Sequence, residues 1–398
     1  MAFTKAYIPY GAYWSSPFSK WQGSLANEHA VELAAVTARK CFEARGIDPT
    51  QLENLYFGIT VPQPSVFYGG PWLAGLLGSP GISGPMIGQA CITGVVVTKM
   101  AAQDVEQGLV EASLAITGDR CSNGPHMVFA SQKKPGATPV SEDWVWDNFG
   151  FDPWAKNSML ETAENVAAEH DVGRQQMDEV TARRYAQYQD ALADDRAFQR
   201  RFMMPVEIGK GKRAKTIDGD EGIFPTTLDG LQGLKAVLPD GKVTFGSQTH
   251  PADGNAGLIV TTRERAAAMA SDDKIEIQLL GFGSARTKKG YMAAAMVPAA
   301  RAALDDAGLK ADQMKAVKTH NPFAVNDIVL AKELGLDLET MNNYGCSLVW
   351  GHPQGPTAMR LLVELIEELA EKGGGHGLFA GCAAGDTAAG MVIEVRSK

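Results

Sequence analysis

The chain has 398 residues, of which 45% are hydrophobic and 21% are charged, an ordinary globular composition. A single hydrophobic core stops growing below this length, so we expect two or more domains. The formal net charge of −9 argues against a nucleic-acid partner, because that binding needs a clustered basic surface. No apolar run has the length of a membrane span and residues 1–10 lack the features of a secretory signal. We therefore expect a cytoplasmic protein that does not contact a membrane.

The first 120 residues alternate between helices and short apolar strands. A helix is predicted at about 27–45, a strand at 55–61, a long apolar helix at 91–107 and a strand at 112–117. This alternation is typical of an α/β protein in which helices are layered on a sheet.

A similar helix–glycine–strand unit recurs late in the chain. Arg39 precedes Gly46 by seven residues, Arg301 precedes Gly308 by seven, and an apolar strand follows each glycine. The glycine stops and the matched spacing indicate an internal duplication. Two ordinary units of this kind would produce the same pattern, so that alternative stays open.

The middle of the chain differs from both ends. Tryptophans cluster around Pro153, a polar helical region follows at 161–194, and a Gly/Lys stretch occupies 209–215. We interpret this region as an insertion that covers one face of the duplicated core. The predicted organisation is a first half at 1–120, an inserted domain at 121–250 and a second half at 251–398.

The five cysteines are odd in number, widely spaced and without a C-x-x-C pair, which excludes a disulfide framework or a zinc ribbon (Cys41, Cys91, Cys121, Cys346, Cys382). Cys91 stands where a loop gives way to the long apolar helix, and the positive end of a helix favours a nucleophilic thiolate. Position alone would equally fit a buried structural cysteine.

Three further segments carry candidate chemistry. In Gly351-His352-Pro353, glycine and proline fix a histidine before a helix, as a general base requires. The small-residue loop around Cys382, with Ala384 and Gly385, lets backbone N–H groups approach a substrate oxygen. His320 and Asn321 end a predicted strand side by side. Each segment alone is weak, because a lone histidine or cysteine in a turn is usually structural.

In this order the four segments resemble the reactive motifs of the thiolase family. Cys91 matches its acyl-accepting cysteine, His352 its activating histidine and Cys382 its proton-transferring cysteine. His320 takes the place of the usual asparagine, which is similar to the sterol-carrier-type thiolases. Landmarks at 162–167, 220–231 and 253–256 extend the resemblance over nearly the whole chain. It implies a duplicated five-layer αβαβα core with an inserted loop domain.

The resemblance implies acyl exchange between a 3-oxoacyl-CoA and coenzyme A through an acyl-Cys91 intermediate. His352 would activate the thiol, Cys382 would move protons, His320 would help polarise the thioester carbonyl, and backbone N–H groups at Ala384 and Gly385 would bind the oxyanion. Coenzyme A is then a co-substrate, and no metal or permanent cofactor is expected. Candidates for CoA binding are Lys210, Lys212, Arg213 and Thr249, although the first three would equally fit a solvated loop.

Departures from the family pattern point to an unusual substrate. Phe224 replaces a common arginine, Thr249-His250 a Ser-Gly pair, Ala384 a glycine and Cys346 a small glycine. We assign His250, Asn321 and Phe224 to the acyl pocket. The altered motifs resemble the large subunit of benzoylsuccinyl-CoA thiolase, of anaerobic toluene breakdown. That likeness implies an aromatic substrate and a small zinc-binding partner subunit; the family implies a homodimer or dimer of dimers.

Two other functions remain open. A ketoacyl-synthase-like condensing enzyme would share the fold, but such enzymes do not need a second thiol such as Cys382. A catalytically silent acyl-CoA or lipid binder would not need Cys91, His320, His352 and Cys382 together.

Overall fold

The computed structural model describes residues 2–130 and 136–397. The strands are β1 (Tyr7–Pro9), β2 (Tyr13–Ser15), β3 (Ser19–Lys20), β4 (Asn54–Gly58), β5 (Met86–Ile87), β6 (Ala112–Arg120), β7 (His126–Phe129), β8 (Val140–Asp143), β9 (Val206–Ile208), β10 (Lys215–Ile217), β11 (Ala252–Thr261), β12 (Ile275–Arg286), β13 (Met314–His320), β14 (Gly374–Ala383) and β15 (Thr387–Ser397). The helices are α1 (Ala30–Arg45), α2 (Gly69–Leu77), α3 (Thr93–Glu106), α4 (Trp146–Gly150), α5 (Met159–Glu169), α6 (Arg174–Ala191), α7 (Ala193–Arg200), α8 (Leu228–Gln232), α9 (Arg263–Met269), α10 (Met296–Ala307), α11 (Ala324–Leu334), α12 (Ser347–Trp350) and α13 (Gly355–Glu371).

The main sheet is mixed and runs in the order β13-β14-β15-β12-β1-β11-β6-β4-β5. Its two sides repeat one pattern of pairing. On one side β4 is parallel to β6 and β6 is antiparallel to β11; on the other side β13 is parallel to β14 and β14 is antiparallel to β15. Strand β1 pairs with both β11 and β12 and so joins the two sides. This repeat supports the internal duplication predicted from sequence.

Helices cover the sheet in matched positions. Helix α1 packs on β6 and β11, and α10 packs on β12 and β15. Both helices end at a glycine in the left-handed region, Gly46 with φ 66° and Gly308 with φ 68°. These are the glycine stops predicted from sequence. The left-handed conformation lets the cap N–H bond to the last carbonyls of the helix without a Cβ clash.

The central layer consists of α3 and α13, which lie between the two sides of the sheet. Helix α13 contacts β6 and β11 on one side and β13 and β14 on the other. The two helices touch at Gly94, where an added Cβ would lie 2.5 Å from the backbone nitrogen of Met359. Glycine is therefore required for this close approach. The layered α/β fold predicted from sequence is confirmed.

The region between the halves is tied to the core by buried ion pairs. Arg184 on α6 lies 2.7 Å from Asp327 on α11, and both side chains are fully buried. Arg360 on α13 lies 2.6 Å from Asp220. Charged groups in a protein interior require such partners. The predicted boundary at residue 251 falls immediately before β11, a strand that pairs with β6 of the first half.

The described helices also bear on membrane association. Within residues 2–130 and 136–397, none of them combines the length and apolarity that a bilayer crossing requires.

Candidate active site

One of the four predicted reactive side chains lies in the first half and three lie in the second half. Cys91 lies in the turn that leads into α3, and His352 lies in the turn that leads into α13. His320 ends β13 and Cys382 lies near the end of β14. These strands are parallel and adjacent, with His320 paired opposite Gly381. The carboxyl ends of the strands and the starts of the central helices therefore meet at one place.

Three of these side chains converge closely. The Sγ atom of Cys91 and ring nitrogens of His320 and His352 lie within 4.8 Å of one another. The two imidazole rings stack with their centroids 4.2 Å apart. The Nε2 atoms of both rings are buried and have no hydrogen-bond partner within residues 2–130 and 136–397. The same donor atoms would also suit a transition metal, so the absence of a metal stays a prediction.

The Cys91 thiol is protonated in this environment. Burial raises its pKa to about 12, although the backbone N–H groups of Ala384 and Cys91 bond to the sulfur and lower it. The thiolate expected from the helix terminus is therefore not the resting form, because desolvation outweighs the local dipoles. Burial, and then the neighbouring His250, lowers the pKa of His352 to about 3. The resting pair is thus a neutral thiol beside a neutral imidazole.

The hydrogen bonds around Ser347 determine the tautomer of His320. The amide of Asn321 is oriented by Nδ2 donating to Asp327 (2.8 Å) and Oδ1 accepting from the N–H of Leu348 (3.2 Å). The only hydrogen of the Ser347 hydroxyl then points to Oδ1 of Asn321, at 3.0 Å. Ser347 Oγ must accept from Nδ1–H of His320, also at 3.0 Å. Burial lowers the pKa of His320 well below its usual value, so the ring is neutral and offers a lone pair on Nε2.

His352 and Cys382 have their own supporting groups. Nδ1 of His352 lies 2.6 Å from Oγ1 of Thr357, in the first turn of α13, which fixes the plane of the ring. Nδ2 of Asn326 donates to Sγ of Cys382 at 3.3 Å. Burial, and then the nearby Cys91, raises the pKa of Cys382. Cys382 is therefore also a thiol at rest, as a proton donor requires.

A cavity of about 830 Å³ opens onto Cys91 and His352. Its walls are mainly apolar, and aromatic side chains form one part of them (Trp144, Trp146, Phe149). Trp144 is fixed by a 2.9 Å hydrogen bond from its indole N–H to the carbonyl of Thr60. A cavity of this size and lining suits a bulky acyl group.

Other residues proposed from sequence lie in several places. Thr249, His250 and Ala384 line the cavity. Gly385, next to Ala384, has φ 82° and its carbonyl accepts from Arg286. Asn321 does not line the cavity, because its amide is used up in holding Ser347 and Asp327 behind His320.

The proposed CoA-binding cations and Phe224 also lie outside the cavity lining. Lys210, Lys212 and Arg213 are exposed on the turn between β9 and β10, a hairpin that packs on α1. Phe224 is 70% exposed. A linear sequence carries no distances across the insertion, so the positions of these residues relative to the cavity were not predictable.

Sequence reasoning missed the supporting residues. Ser347, Thr357 and Asn326 each bond to a reactive side chain. Gln354 contacts Cys91, with Oε1 3.5 Å from Sγ. All four lie within six residues of a reactive motif or of the start of a helix at the site, and this proximity was the only signal in the sequence. Their hydrogen bonds depend on side-chain directions, which a linear pattern does not give.

Two family models match the chain: the thiolase N-terminal domain over residues 13–264 and the thiolase C-terminal domain over residues 274–395. The chain belongs to the thiolase family. The β-ketoadipyl-CoA thiolase of Pseudomonas knackmussii is 29% identical over 396 residues, covering 95% of this thiolase and 96% of the relative. A mitochondrial acetyl-CoA acetyltransferase of Gibberella zeae is 28% identical, covering 95% and 88%.

Solved structures agree with this assignment. The acetyl-CoA acetyltransferase of Bacillus anthracis superposes with a TM-score of 0.91 at 25% identity, covering 99% of both chains. Human mitochondrial 3-ketoacyl-CoA thiolase in complex with CoA superposes with a TM-score of 0.90 at 24% identity, covering 100% of this chain and 99% of that one. The predicted thiolase fold is confirmed.

Proposed function

We propose that this thiolase transfers an acyl group between a 3-oxoacyl-CoA and coenzyme A, with Cys91 carrying the acyl group. The observation that carries the proposal is the convergence of the Cys91 thiol with two imidazole nitrogens that have no hydrogen-bond partner among the described residues, next to a cavity that Cys91 and His352 line. A nucleophile, an adjacent base and backbone N–H donors are the parts that acyl transfer needs.

The first step is attack of Cys91 on the 3-oxo carbonyl. Nε2 of His352 carries a lone pair in one tautomer and takes the thiol proton as the C–S bond forms. The N–H groups of Cys91 and Ala384 already point at the sulfur and would bind the oxyanion on the attacked carbon. The C2–C3 bond then breaks, and Cys382 gives its proton to the departing CoA enolate.

The second step returns the acyl group to coenzyme A. The thiol of an incoming CoA gives its proton to the Cys382 thiolate, and its sulfur attacks the acyl-Cys91 carbonyl. Cys91 leaves as a thiolate and recovers its proton from His352. The neutral Nε2 of His320 accepts hydrogen bonds, so this ring donates to a thioester oxygen only after it has taken up a proton. The polarising role of His320 expected from the motif therefore requires a proton on its Nε2 and stays a prediction.

We propose a bulky acyl substrate, and an aromatic one of the benzoylsuccinyl-CoA type as the finer hypothesis. The aromatic wall of the 830 Å³ cavity supports it. No resident cofactor is needed, and degradation is the proposed direction. The choice between substrates is made by measuring CoA-dependent cleavage of a panel of 3-oxoacyl-CoAs, with linear and aromatic members.

The decisive test of the reaction is an acyl adduct on Cys91. Intact-protein and peptide mass spectrometry after mixing with an acyl-CoA should locate it there, and a chelator in the assay should leave the rate unchanged. An adduct confined to Cys382 or Cys121 would contradict the assignment. The ketoacyl-synthase-like alternative moves ahead if Cys382→Ser retains thiolysis, and the silent-binder alternative if no substrate is cleaved.

We also propose assembly into a homodimer or a dimer of dimers in the cytoplasm. Strand β5 is an edge strand of the sheet, Met86 on it is 38% exposed, and the nearby Phe67 is 81% exposed. An apolar open edge invites pairing with a second copy. A concentration-independent monomer in light scattering would contradict this.

Phe245 lines the cavity yet is 75% exposed, so a small zinc-binding subunit would have an apolar contact at the mouth.

A further inference from the structure

Gln354 occupies a position next to the nucleophile. It follows His352-Pro353 and immediately precedes α13, and its side chain lines the cavity. Oε1 lies 3.5 Å from Sγ of Cys91 and accepts from the thiol. The residue is only 5% exposed. One end of its amide is therefore bonded to the reacting sulfur.

The other end of the amide is unpaired. Nε2 of Gln354 is buried and has no hydrogen-bond partner among the described residues. A buried donor without a partner destabilises the folded chain, because the N–H group has given up its hydrogen bonds to water. A leucine at this position would fill similar space without that cost. The unpaired donor therefore indicates that a ligand in the cavity supplies the missing acceptor.

The backbone of Gln354 is also unfavourable, with φ 59° and ψ −110°. A non-glycine residue held in a sparsely populated region of φ and ψ strains the backbone, and such residues cluster at functional sites. The same residue thus combines a strained backbone with an unpaired amide. Neither feature stabilises the fold, so both favour a role toward the substrate.

The reach of Nε2 defines what it can contact. The oxygen and nitrogen of one amide are about 2.3 Å apart, so Nε2 lies within about 6 Å of Sγ of Cys91. A hydrogen bond extends about 2.9 Å further. The oxyanion itself faces the N–H groups of Cys91 and Ala384 in the proposed mechanism. Nε2 is left for an oxygen two to four bonds from the carbon that Cys91 attacks.

We propose that Gln354 is a specificity-determining residue that donates from Nε2 to an oxygen-bearing substituent next to the reacting carbon of the substrate. The substituent is a carboxylate on a C2 branch or a hydroxyl at C4 of the 3-oxoacyl group. This proposal rests on the proposed attack by Cys91. It goes beyond that function because the hydrogen bond from Gln354 would make the enzyme prefer polar-substituted substrates over hydrocarbon substrates of the same shape.

The test compares matched substrates. The wild-type enzyme, Gln354→Leu and Gln354→Glu are assayed for thiolysis of 3-oxohexanoyl-CoA that carries a 2-carboxymethyl or a 4-hydroxyl group. Each substrate is paired with its apolar isostere, 2-isobutyl or 4-methyl. A hydrogen bond to the substituent predicts that wild-type kcat/KM favours at least one oxygen-bearing substrate by about 10- to 100-fold.

Both variants should reduce that preference to within about threefold; the ratio of the two kcat/KM values is the readout, because Gln354 also contacts Cys91 and its loss can change the rate with both substrates. Gln354→Glu keeps the shape and the Cys91 contact but lacks the amide donor, which covers the case in which leucine disturbs folding. Gln248→Leu makes the same change at another cavity-lining glutamine and should keep the preference.

The proposal is overturned if wild type shows no preference, if Gln354→Leu slows both members of a pair equally, or if Gln248→Leu loses the preference too. Failure of the underlying function has a different signature. In that case wild type cleaves none of the substrates and forms no acyl adduct on Cys91.

Discussion

The two halves of this thiolase share one fold but treat their polar groups differently. Asp119 near the end of β6 accepts from the N–H groups of Thr60, Val61 and Gly355, so its carboxylate is well paired. At the corresponding strand end of the second half stands Cys382, bonded by Asn326. The second half also contains the two stacked histidines, His320 and His352, whose Nε2 atoms have no hydrogen-bond partner in the part of the chain that the structure describes. Polar groups that are hydrogen-bonded within the protein stabilise the fold. Buried polar groups beside the cavity that lack such a partner indicate where substrate binds.

The comparison extends to the central helices. The turn before α3 carries the proposed nucleophile, and the equivalent turn before α13 carries the proposed base. Duplication therefore supplied two equivalent positions that face each other, and divergence gave them complementary chemistry. Under this interpretation, substitutions in the two halves should impair different steps of the reaction.

The largest effect is expected for Cys91→Ser in the first half. The hydroxyl is a far weaker nucleophile at neutral pH, so both acyl-enzyme formation and steady-state thiolysis should fall below detection. Rapid-quench acyl transfer and thiolysis assays measure the two steps separately. Measurable acylation of this variant at another cysteine would show that the nucleophile has been misplaced.

Cys382→Ser in the second half should separate the two steps. Acylation of Cys91 by a reactive acyl-CoA needs mainly His352 and the backbone donors, so it should persist at a reduced rate. C–C cleavage should fall by about 10²–10⁴-fold, the contribution of a positioned general acid–base. His352→Ala is the matched control and should impair both steps. Near-normal thiolysis by Cys382→Ser would contradict the division of labour.

The contact between the halves can be tested at Gly94. An added Cβ would lie 2.5 Å from the nitrogen of Met359 and 2.7 Å from the carbonyl oxygen of Gly355. Gly94→Ala should therefore lower the free energy of unfolding by about 1–3 kcal/mol through overpacking. Gly75→Ala is the control, because Gly75 is on α2 with open space around its Cβ position. It should stabilise by about 0.5–1 kcal/mol. Equal outcomes in chemical denaturation would refute the close crossing.

The smallest effect is expected from pH. Because burial lowers the pKa of His352 to about 3, the ring stays neutral well below pH 6.5. The rate of Cys91 acylation should therefore change less than about twofold between pH 7.5 and 5.5, whereas an ordinary histidine base would lose about tenfold per unit below its pKa. A decline that titrates near pH 6.5 would show that the site is more solvated than its geometry indicates.

The same lowered pKa makes a prediction about stability. The unfolded chain binds a proton at His352 below about pH 6.5 and the folded chain does not, so stability should fall as pH drops from 6.5 toward 3. His352→Gln should lose less stability than wild type over the range from pH 7 to 5. Denaturation midpoints at both pH values, compared with those of His376→Gln at a partly exposed site, provide the measurement.

The sequence alone determined the features that depend on local pattern. The layered α/β fold followed from the alternation of helices and strands, and the helix stops followed from Gly46 and Gly308, where only a residue without Cβ adopts φ near +65° cheaply. The candidate reactive set followed from four short motifs in order, and its catalytic roles remain predictions. The CoA-binding role of Lys210, Lys212 and Arg213 remains a prediction, because charge in a sequence carries no distance.

Only the tertiary structure decided the state and the surroundings of those groups. Cys91 is a thiol rather than the expected thiolate because burial by distant segments outweighs the local helix dipole. The tautomer of His320 depends on Ser347 and Asn321, and the unpaired amide of Gln354 depends on the apolar walls around it. Protonation and pairing are set by what packs against a group in space, and residues far apart in the chain supply most of that packing.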